Sequence, residues 1–211
     1  MSRYNLPRWN YFRILEQDLE SCFRYVEPCE KHYSVYSDEF TKLILVACSE
    51  IENALRELAE FIDKKAGRNN IKELKSIVLA KFPYFPLARV SATRYGLTLE
   101  PWKDWCTEIP PDWWTNGYNK IKHDRAGNPE AGTLLRSLNA MAALEVVLLY
   151  LYRHKYRVAV FSIENSPHLL EIVEQESEYE GAFIGWSWEL PDDEHAIKKR
   201  NRACSSDKFK Y

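Results

Sequence analysis

The sequence predicts a mainly α-helical fold, a bundle of about four or five helices with a small inserted β-hairpin. Apolar residues recur at helical spacing in several long segments, and the chain of 211 residues holds only 7 glycines. One central segment is rich in proline and aromatic residues. With 45% apolar and 28% charged residues, the composition is that of an ordinary globular protein.

Helical spacing marks three segments in the first part of the chain. It covers residues 11–26, residues 40 to about 65, and residues 71–81. Ser37 stands where an N-cap belongs, because two acidic residues follow it in the first turn of the second helix. We therefore expect an N-terminal helical segment over residues 1–36 that packs on a helical domain over residues 37–155.

Segment 82–110 interrupts the helical pattern. Prolines at its density exclude a long helix, and the aromatic residues between them are typical of an ordered segment rather than a disordered linker. ARVSAT and LTLE flank Arg94-Tyr95-Gly96, which predicts a small hairpin. The segment is therefore expected to be an inserted β and proline-aromatic excursion within the helical domain.

The most apolar segment follows Asn128-Pro129, a pair that is typical of a helix start. Residues 131 to about 154 are apolar on nearly every face, which predicts the central, most buried helix. Its carboxylate, Glu145, should have a structural partner such as Arg or Tyr, with a site role as the alternative. The apolar run 141–152 is too short to span a bilayer, so no membrane contact is expected.

Residues 156–211 are predicted to form a C-terminal extension. RVAVFSI and AFIGWSWEL predict strands, SPHLLEIVEQESE predicts a short helix, and KKRNRACSSDKFKY predicts a mobile tail. The basic residues of that tail are expected to be solvated, with phosphate contacts as the alternative. They are Lys198, Lys199, Arg200 and Arg202.

Charge and cysteine content narrow the class of function. The formal net charge of −2 argues against a protein that nucleic acid coats throughout, so any polyanion site must be local. None of the five cysteines forms a C-x-x-C pair, and MSRYNLPRWN lacks a secretory apolar core, so we expect a cytoplasmic protein with reduced thiols. Cys29 and His32 have metal-like spacing, but two ligands make no site, and no metal or cofactor is expected.

Residues 113–125, WWTNGYNKIKHDR, hold the most distinctive chemistry. On a helix that begins near residue 111, Asn119 and His123 share a face with Lys122 beside them, and Tyr118, Lys122 and Arg125 form the adjoining row. Cations offer charge-assisted hydrogen bonds to phosphate oxygens, and an imidazole acts as a general acid or base near neutrality. The pattern therefore predicts a site for a phosphate or phosphodiester, with a solvated helix face as the alternative.

Four tryptophans precede this motif or begin it in the sequence. We expect them to anchor the motif helix in the core, with stacking on nucleic-acid bases as the alternative. They are Trp102, Trp105, Trp113 and Trp114.

Three stretches resemble the HEPN-domain superfamily, small all-helical bundles of prokaryotic toxin, antiviral-defence and RNA-processing systems. They are LVACSEIENALRELAEFI, WWTNGYNKIKHDR with its Y-N-x-x-K-H-x-R block, and TLLRSLNAMAALEVVLLYLY. Together they span about residues 38–155. The resemblance implies a HEPN-like bundle and a metal-independent endoribonuclease of a defence or toxin–antitoxin type system, in which a substrate 2′-hydroxyl attacks the adjacent phosphate.

The resemblance also implies roles and partners. His123 would be the acid or base, Lys122 and Arg125 the phosphate clamps, and Asn119 would position the substrate, while Tyr118 and Glu52 would help to bind it. The implied partners are RNA or a nucleotide, a second copy of the chain, and an antitoxin-like protein. The superfamily's usual motif arginine would fall at residues 116–118, which hold no arginine. The alternative is therefore a non-catalytic module that binds a nucleotide, RNA or a protein.

Overall fold

The computed structural model describes residues 6–66, 70–107, 109–156, 169–172, 190–192 and 197. The fold is mainly α-helical, as the sequence predicts, and these residues form five α-helices and a small antiparallel sheet. The helices are α1 (Pro7–Cys22), α2 (Asp38–Ile62), α3 (Ile71–Lys81), α4 (Lys120–Asp124) and α5 (Leu134–Tyr150). The strands are β1 (Val90–Ala92), β2 (Leu97–Leu99) and β3 (Glu171–Ile172).

The helices α2 and α5 pack against each other along the middle of the bundle. The buried residues of α2 recur at the helical period, so that one stripe faces the core, whereas α5 is buried on nearly all sides. The helix α1 packs on both of them, and α3 packs on α2. The bundle therefore surrounds α5, as the apolar run predicted.

Local signals placed the start of α2 correctly and misplaced the start of α5. The Ser37 hydroxyl accepts a hydrogen bond from the Phe40 backbone N–H at 3.1 Å, which confirms it as the N-cap. The predicted start at Asn128-Pro129 was wrong, because those residues enter a short 3₁₀ turn, Pro129–Ala131. The actual cap of α5 is Thr133, whose hydroxyl accepts from the Arg136 N–H.

The helix α5 continues as a π-helical turn, Leu151–Lys155. The combined helix, Leu134–Lys155, is long and apolar enough to cross a membrane by length and composition, but most of its apolar stretch is buried by the rest of the described protein. Glu145 is fully buried within it. The apolar side chains of this helix make their contacts inside the fold.

The predicted hairpin is present between the α3 and α4 helices. Val90 pairs with Leu99 and Ala92 with Leu97, and the turn is closed by Gly96, whose φ of 64° is the left-handed conformation that glycine adopts without strain. The third strand, β3, pairs antiparallel with β1. The short helix predicted for SPHLLEIVEQESE is therefore wrong at residues 171–172, which form β3. The predicted strands RVAVFSI and AFIGWSWEL and the predicted tail KKRNRACSSDKFKY lie almost entirely outside the described residues.

Parts of the C-terminal extension belong to the same core as the helices. Leu169, Leu170, Ile172 and Leu190 are all buried in the single apolar cluster. The Asp192 carboxylate accepts hydrogen bonds from the Tyr84 backbone N–H and the Tyr150 hydroxyl, at 3.0 and 2.8 Å. The described parts of residues 156–211 therefore complete the bundle.

Candidate functional site

The motif 113–125 does not form one regular α-helix. Residues Trp113–Asn119 form a π-helix, and only then does α4 begin. The prediction of a uniform α-helical spacing from residue 111 was therefore wrong for the first half of the motif, although it holds from Lys120 to Asp124. Because π-helices are uncommon and frequent at functional sites, this irregularity marks the motif as a candidate site.

Tertiary contacts hold the π-helix in place. The Trp113 indole N–H donates to the Pro101 carbonyl at 2.7 Å. Across Gly117 lies the aliphatic part of Arg136 from α5, since a Cβ added to that glycine would lie 3.3 Å from the Arg136 Cδ. The motif is thus anchored on one side to the proline-aromatic segment and on the other to the first turns of α5.

A carboxylate at the start of the π-helix ties Arg136 to it. Asp112 accepts from the Arg136 Nε at 2.8 Å and from the Asn116 side-chain amide at 2.6 Å. Burial by itself would raise the pKa of Asp112, but the hydrogen bonds and the positive charge of Arg136 outweigh it and lower the pKa. The carboxylate therefore stays ionised and keeps the two elements together.

All four predicted tryptophans lie in the core, which confirms the packing role rather than base stacking. Trp102 is fully buried and its indole N–H donates to the Ala143 carbonyl at 3.2 Å. The Trp105 and Phe85 rings pack against it at a tilt, and the Trp113 ring meets it edge-on. These rings fix the motif and offer no face to a ligand.

Three of the predicted site residues lie together on the outer side of the motif. Asn119, Lys122 and His123 are one helical turn or less apart, and the Lys122 and His123 side chains are exposed while Asn119 is half-buried. The Lys122 ammonium lies 5.1 Å from the centre of the Tyr118 ring, a cation–π distance. Neither Asn119 nor His123 has a side-chain hydrogen bond to another described residue.

Arg125 extends this group towards the start of α2. Its guanidinium donates to the Asp38 carboxylate at 2.8 Å, and the side chains are 60% and 89% exposed. An ion pair this exposed contributes roughly 0–1 kcal/mol, so the guanidinium can exchange Asp38 for another anion at little cost. We call Asn119, Lys122, His123 and Arg125 the motif surface.

Of the two residues predicted to bind the substrate, Tyr118 lies beside Lys122 but is buried, and Glu52 is paired on its own helix. Tyr118 is only 5% exposed and packs on Trp114, with ring centres 4.8 Å apart. Glu52 pairs with Arg56 on its own helix. It lies 14 residues beyond Asp38, which at 1.5 Å per residue is about 21 Å along α2 from the end that contacts Arg125.

The sequence did not single out Arg136, which contacts the motif, or Tyr36, which lies two residues before Asp38. Arg136 holds the π-helix, as described above. Tyr36 lies just before the α2 N-cap and is 54% exposed. Its only sequence signal is its position directly before Ser37, which fixes the backbone there.

The described residues hold no group of three side chains that would bind a metal ion. Cys29 Sγ lies 3.5 Å from the His32 Nδ1, but that nitrogen also lies 2.8 Å from the Glu27 carbonyl oxygen. A donor N–H at Nδ1 accounts for both contacts. The groups that the motif surface offers to a ligand are hydrogen-bond donors, positive charge and one imidazole.

No protein-family model, curated protein or solved structure matches the chain. The fold and the site therefore define only a broad structural class of protein. The protein is a mainly α-helical bundle with a small sheet, an aromatic cluster and an exposed basic segment.

Proposed function

We propose that the protein is an RNA-binding, HEPN-like module that contacts the phosphates of RNA through the motif surface. The observation that carries the proposal is the exposure of Lys122 and His123 side by side on a segment whose opposite side is anchored in the core. A rigid helix loses little conformational entropy when its exposed donors meet an anion. Phosphate groups match these donors, since ammonium and guanidinium groups make their strongest hydrogen bonds to ionised oxygens.

Binding without cleavage is the version that the geometry favours. Attack of a 2′-hydroxyl on the adjacent phosphate needs one group to remove a proton from the hydroxyl and another to protonate the departing 5′-oxygen. His123 is the only imidazole on the motif surface, and Arg125, which would stabilise charge on the phosphate, is paired with Asp38. One chain thus supplies one of the two proton-transfer groups.

Metal-independent RNA cleavage is a second candidate, favoured by the exposed position of His123 next to Lys122 and Asn119. In this version a homodimer brings two copies of His123 to one phosphate, so that one accepts the 2′-hydroxyl proton while the other protonates the 5′-oxygen. The products are a 2′,3′-cyclic phosphate and a free 5′-hydroxyl. An antitoxin-like protein that covers the motif surface would regulate either version in the cytoplasm.

Salt-dependent binding tests the proposal. A labelled RNA with a duplex stem and a single-stranded tail is titrated with wild-type protein, Lys122→Ala and Lys64→Ala, and anisotropy is measured at several salt concentrations. Lys122→Ala should weaken binding and reduce the slope of log K against log salt by about 0.7–0.9, because one phosphate contact is lost. Lys64 is the matched control, an exposed lysine two residues beyond the far end of α2, and that end lies about 36 Å from Asp38.

Asp38→Asn provides a test with the opposite sign. Removal of the carboxylate frees the Arg125 guanidinium and lowers the negative potential beside it, so RNA affinity should rise. If Lys122→Ala and Lys64→Ala bind RNA equally well, or if Asp38→Asn weakens binding, RNA does not contact the motif surface. Incubation of RNA with wild-type and His123→Ala protein in EDTA separates the two versions, since only cleavage that the substitution abolishes supports the enzyme.

A further inference from the structure

We propose that Tyr36 stacks on an RNA base next to the motif surface, and that the ligand is therefore single-stranded RNA. This inference rests on the proposed function, because it concerns RNA that the motif surface already holds. It adds recognition of the base, which contacts to the phosphate do not provide. Base recognition by stacking needs an exposed aromatic ring close to the cations that hold the backbone.

The backbone around Tyr36 is fixed by the start of α5. Tyr36 pairs with Thr133 as an isolated antiparallel bridge, and the Ser37 N–H donates to the Gly132 carbonyl at 3.2 Å. On the other side of Tyr36, the Val35 carbonyl accepts from the Leu134 N–H at 2.8 Å. The ring is thus carried by backbone that is held at both neighbours, so that its position costs little entropy on binding.

Tyr36 lies two residues before Asp38, the residue that pairs with Arg125 of the motif surface. Ser37 between Tyr36 and Asp38 is extended, with φ −157° and ψ 164°, so the Cα atoms of Tyr36 and Asp38 are about 7 Å apart. Asp38 in turn contacts Arg125 at 2.8 Å. A strand of RNA whose phosphate displaces Asp38 from Arg125 therefore has a base within reach of the Tyr36 ring.

The ring is available for stacking, in contrast to the aromatic residues that the sequence suggested for this role. Tyr36 is exposed and its hydroxyl makes no hydrogen bond to another described residue, whereas the tryptophans around the motif are buried. An exposed tyrosine by itself is an ordinary surface feature. What distinguishes Tyr36 is a fixed backbone two residues from Asp38, the exposed carboxylate that, among the described residues, accepts the hydrogen bond from Arg125.

Stacking selects single strands over duplexes. In a duplex, each base face is covered by the next base pair, so a tyrosine ring can reach only the outside of the helix. Phosphate contacts alone are made with both forms. The prediction is that removal of the ring affects single-stranded RNA and leaves duplex RNA unchanged.

The test compares two probes and four proteins. Labelled single-stranded RNA and the same RNA annealed to its complement are titrated with wild-type protein, Tyr36→Ala, Tyr36→Trp and Phe61→Ala. Phe61 is the matched control, a partly exposed aromatic residue at the far end of α2, about 35 Å from Asp38. Circular dichroism and thermal unfolding establish that each variant retains the fold.

We expect Tyr36→Ala to weaken single-strand binding on the order of ten-fold, with duplex binding unchanged, and Tyr36→Trp to bind as tightly as wild type or more tightly. Phe61→Ala should match wild type on both probes. Equal loss on both probes, no loss on either, or a tryptophan variant as weak as the alanine variant would overturn the stacking role.

The two proposals fail in different ways. If wild-type protein binds RNA in a manner that depends on Lys122, yet Tyr36→Ala binds single strands as well as wild type does, the stacking inference alone is wrong. If wild-type protein binds neither probe, the proposed function is wrong and the inference falls with it.

Discussion

Glu16 joins two parts of the chain that are more than 150 residues apart. Its buried carboxylate, 1% exposed on α1, forms an ion pair with Arg13 and accepts the backbone N–H groups of Leu169 and Leu170 at 2.9 and 3.0 Å. Glu16→Gln retains the shape and a carbonyl oxygen for those two N–H groups. It also turns an amide NH₂ group, itself a donor, towards the Arg13 guanidinium.

The expected loss follows from the burial of Arg13. Removal of one partner of a buried ion pair costs roughly 3–5 kcal/mol, because the remaining charge gains little hydration. Arg13 is itself buried, so we expect Glu16→Gln to lower the free energy of unfolding by roughly 3 kcal/mol. Glu16→Ala should cost more, since the N–H groups of Leu169 and Leu170 also lose their acceptor at about 1–3 kcal/mol each.

Urea unfolding followed by tryptophan fluorescence and circular dichroism measures these losses. The control is Glu60→Gln, an exposed carboxylate on α2 whose replacement should change stability by no more than about 0.5 kcal/mol. Arg13→Met combined with Glu16→Gln should be more stable than the sum of the two single losses implies, because no unpaired charge remains. If Glu16→Gln matches Glu60→Gln, or if the double variant is strictly additive, Glu16 does not anchor the segment.

Two further predictions concern stability. Burial, together with two neighbouring cations, lowers the pKa of His154 from 6.5 to about 4. As the pH falls, the unfolded chain therefore takes up the proton before the folded chain does, and the folded state loses stability between about pH 6.5 and pH 4. Urea titrations should show that wild type loses more stability between pH 7 and pH 5 than His154→Leu does, and equal losses would exclude a role for this ring. Gly132→Ala should destabilise the protein by roughly 1–3 kcal/mol, because the added Cβ overlaps the Thr41 hydroxyl and presses on its backbone. Gly117→Ala is the matched control, since its Cβ meets only the flexible side chain of Arg136, and equal stability of the two variants would contradict the packing argument.

Features set by neighbouring residues were predictable from the sequence. The Ser37 cap, the span of α3 and the glycine turn of the hairpin depend on local hydrogen bonds and backbone preferences, and all three are present. The start of α5 was not predictable in this way. Its first N–H groups donate to carbonyl groups of residues 33 and 35, so a distant loop decides where the helix begins.

The candidate site shows the same division. The common face of Asn119, Lys122 and His123 follows from α-helical spacing, and the α-helix in the structure covers Lys122 and His123. The π-helix before them depends on Trp113 and on the way Arg136 crosses Gly117, contacts that no local pattern encodes. Tyr36 could not be identified because the contact between Arg125 and Asp38, two residues after Tyr36, arises only when α2 and α4 are packed.

The way α5 is enclosed has a consequence for how the chain folds during synthesis. Leu190 and Pro191 are buried, and Tyr150 of α5 is hydrogen-bonded to Asp192, so the covering of this helix includes residues made some forty positions later. Until the ribosome has added them, a helix as apolar as a membrane span lacks part of the protein surface that buries it. The nascent polypeptide therefore passes through a stage in which chaperones have an apolar target that the finished molecule no longer shows.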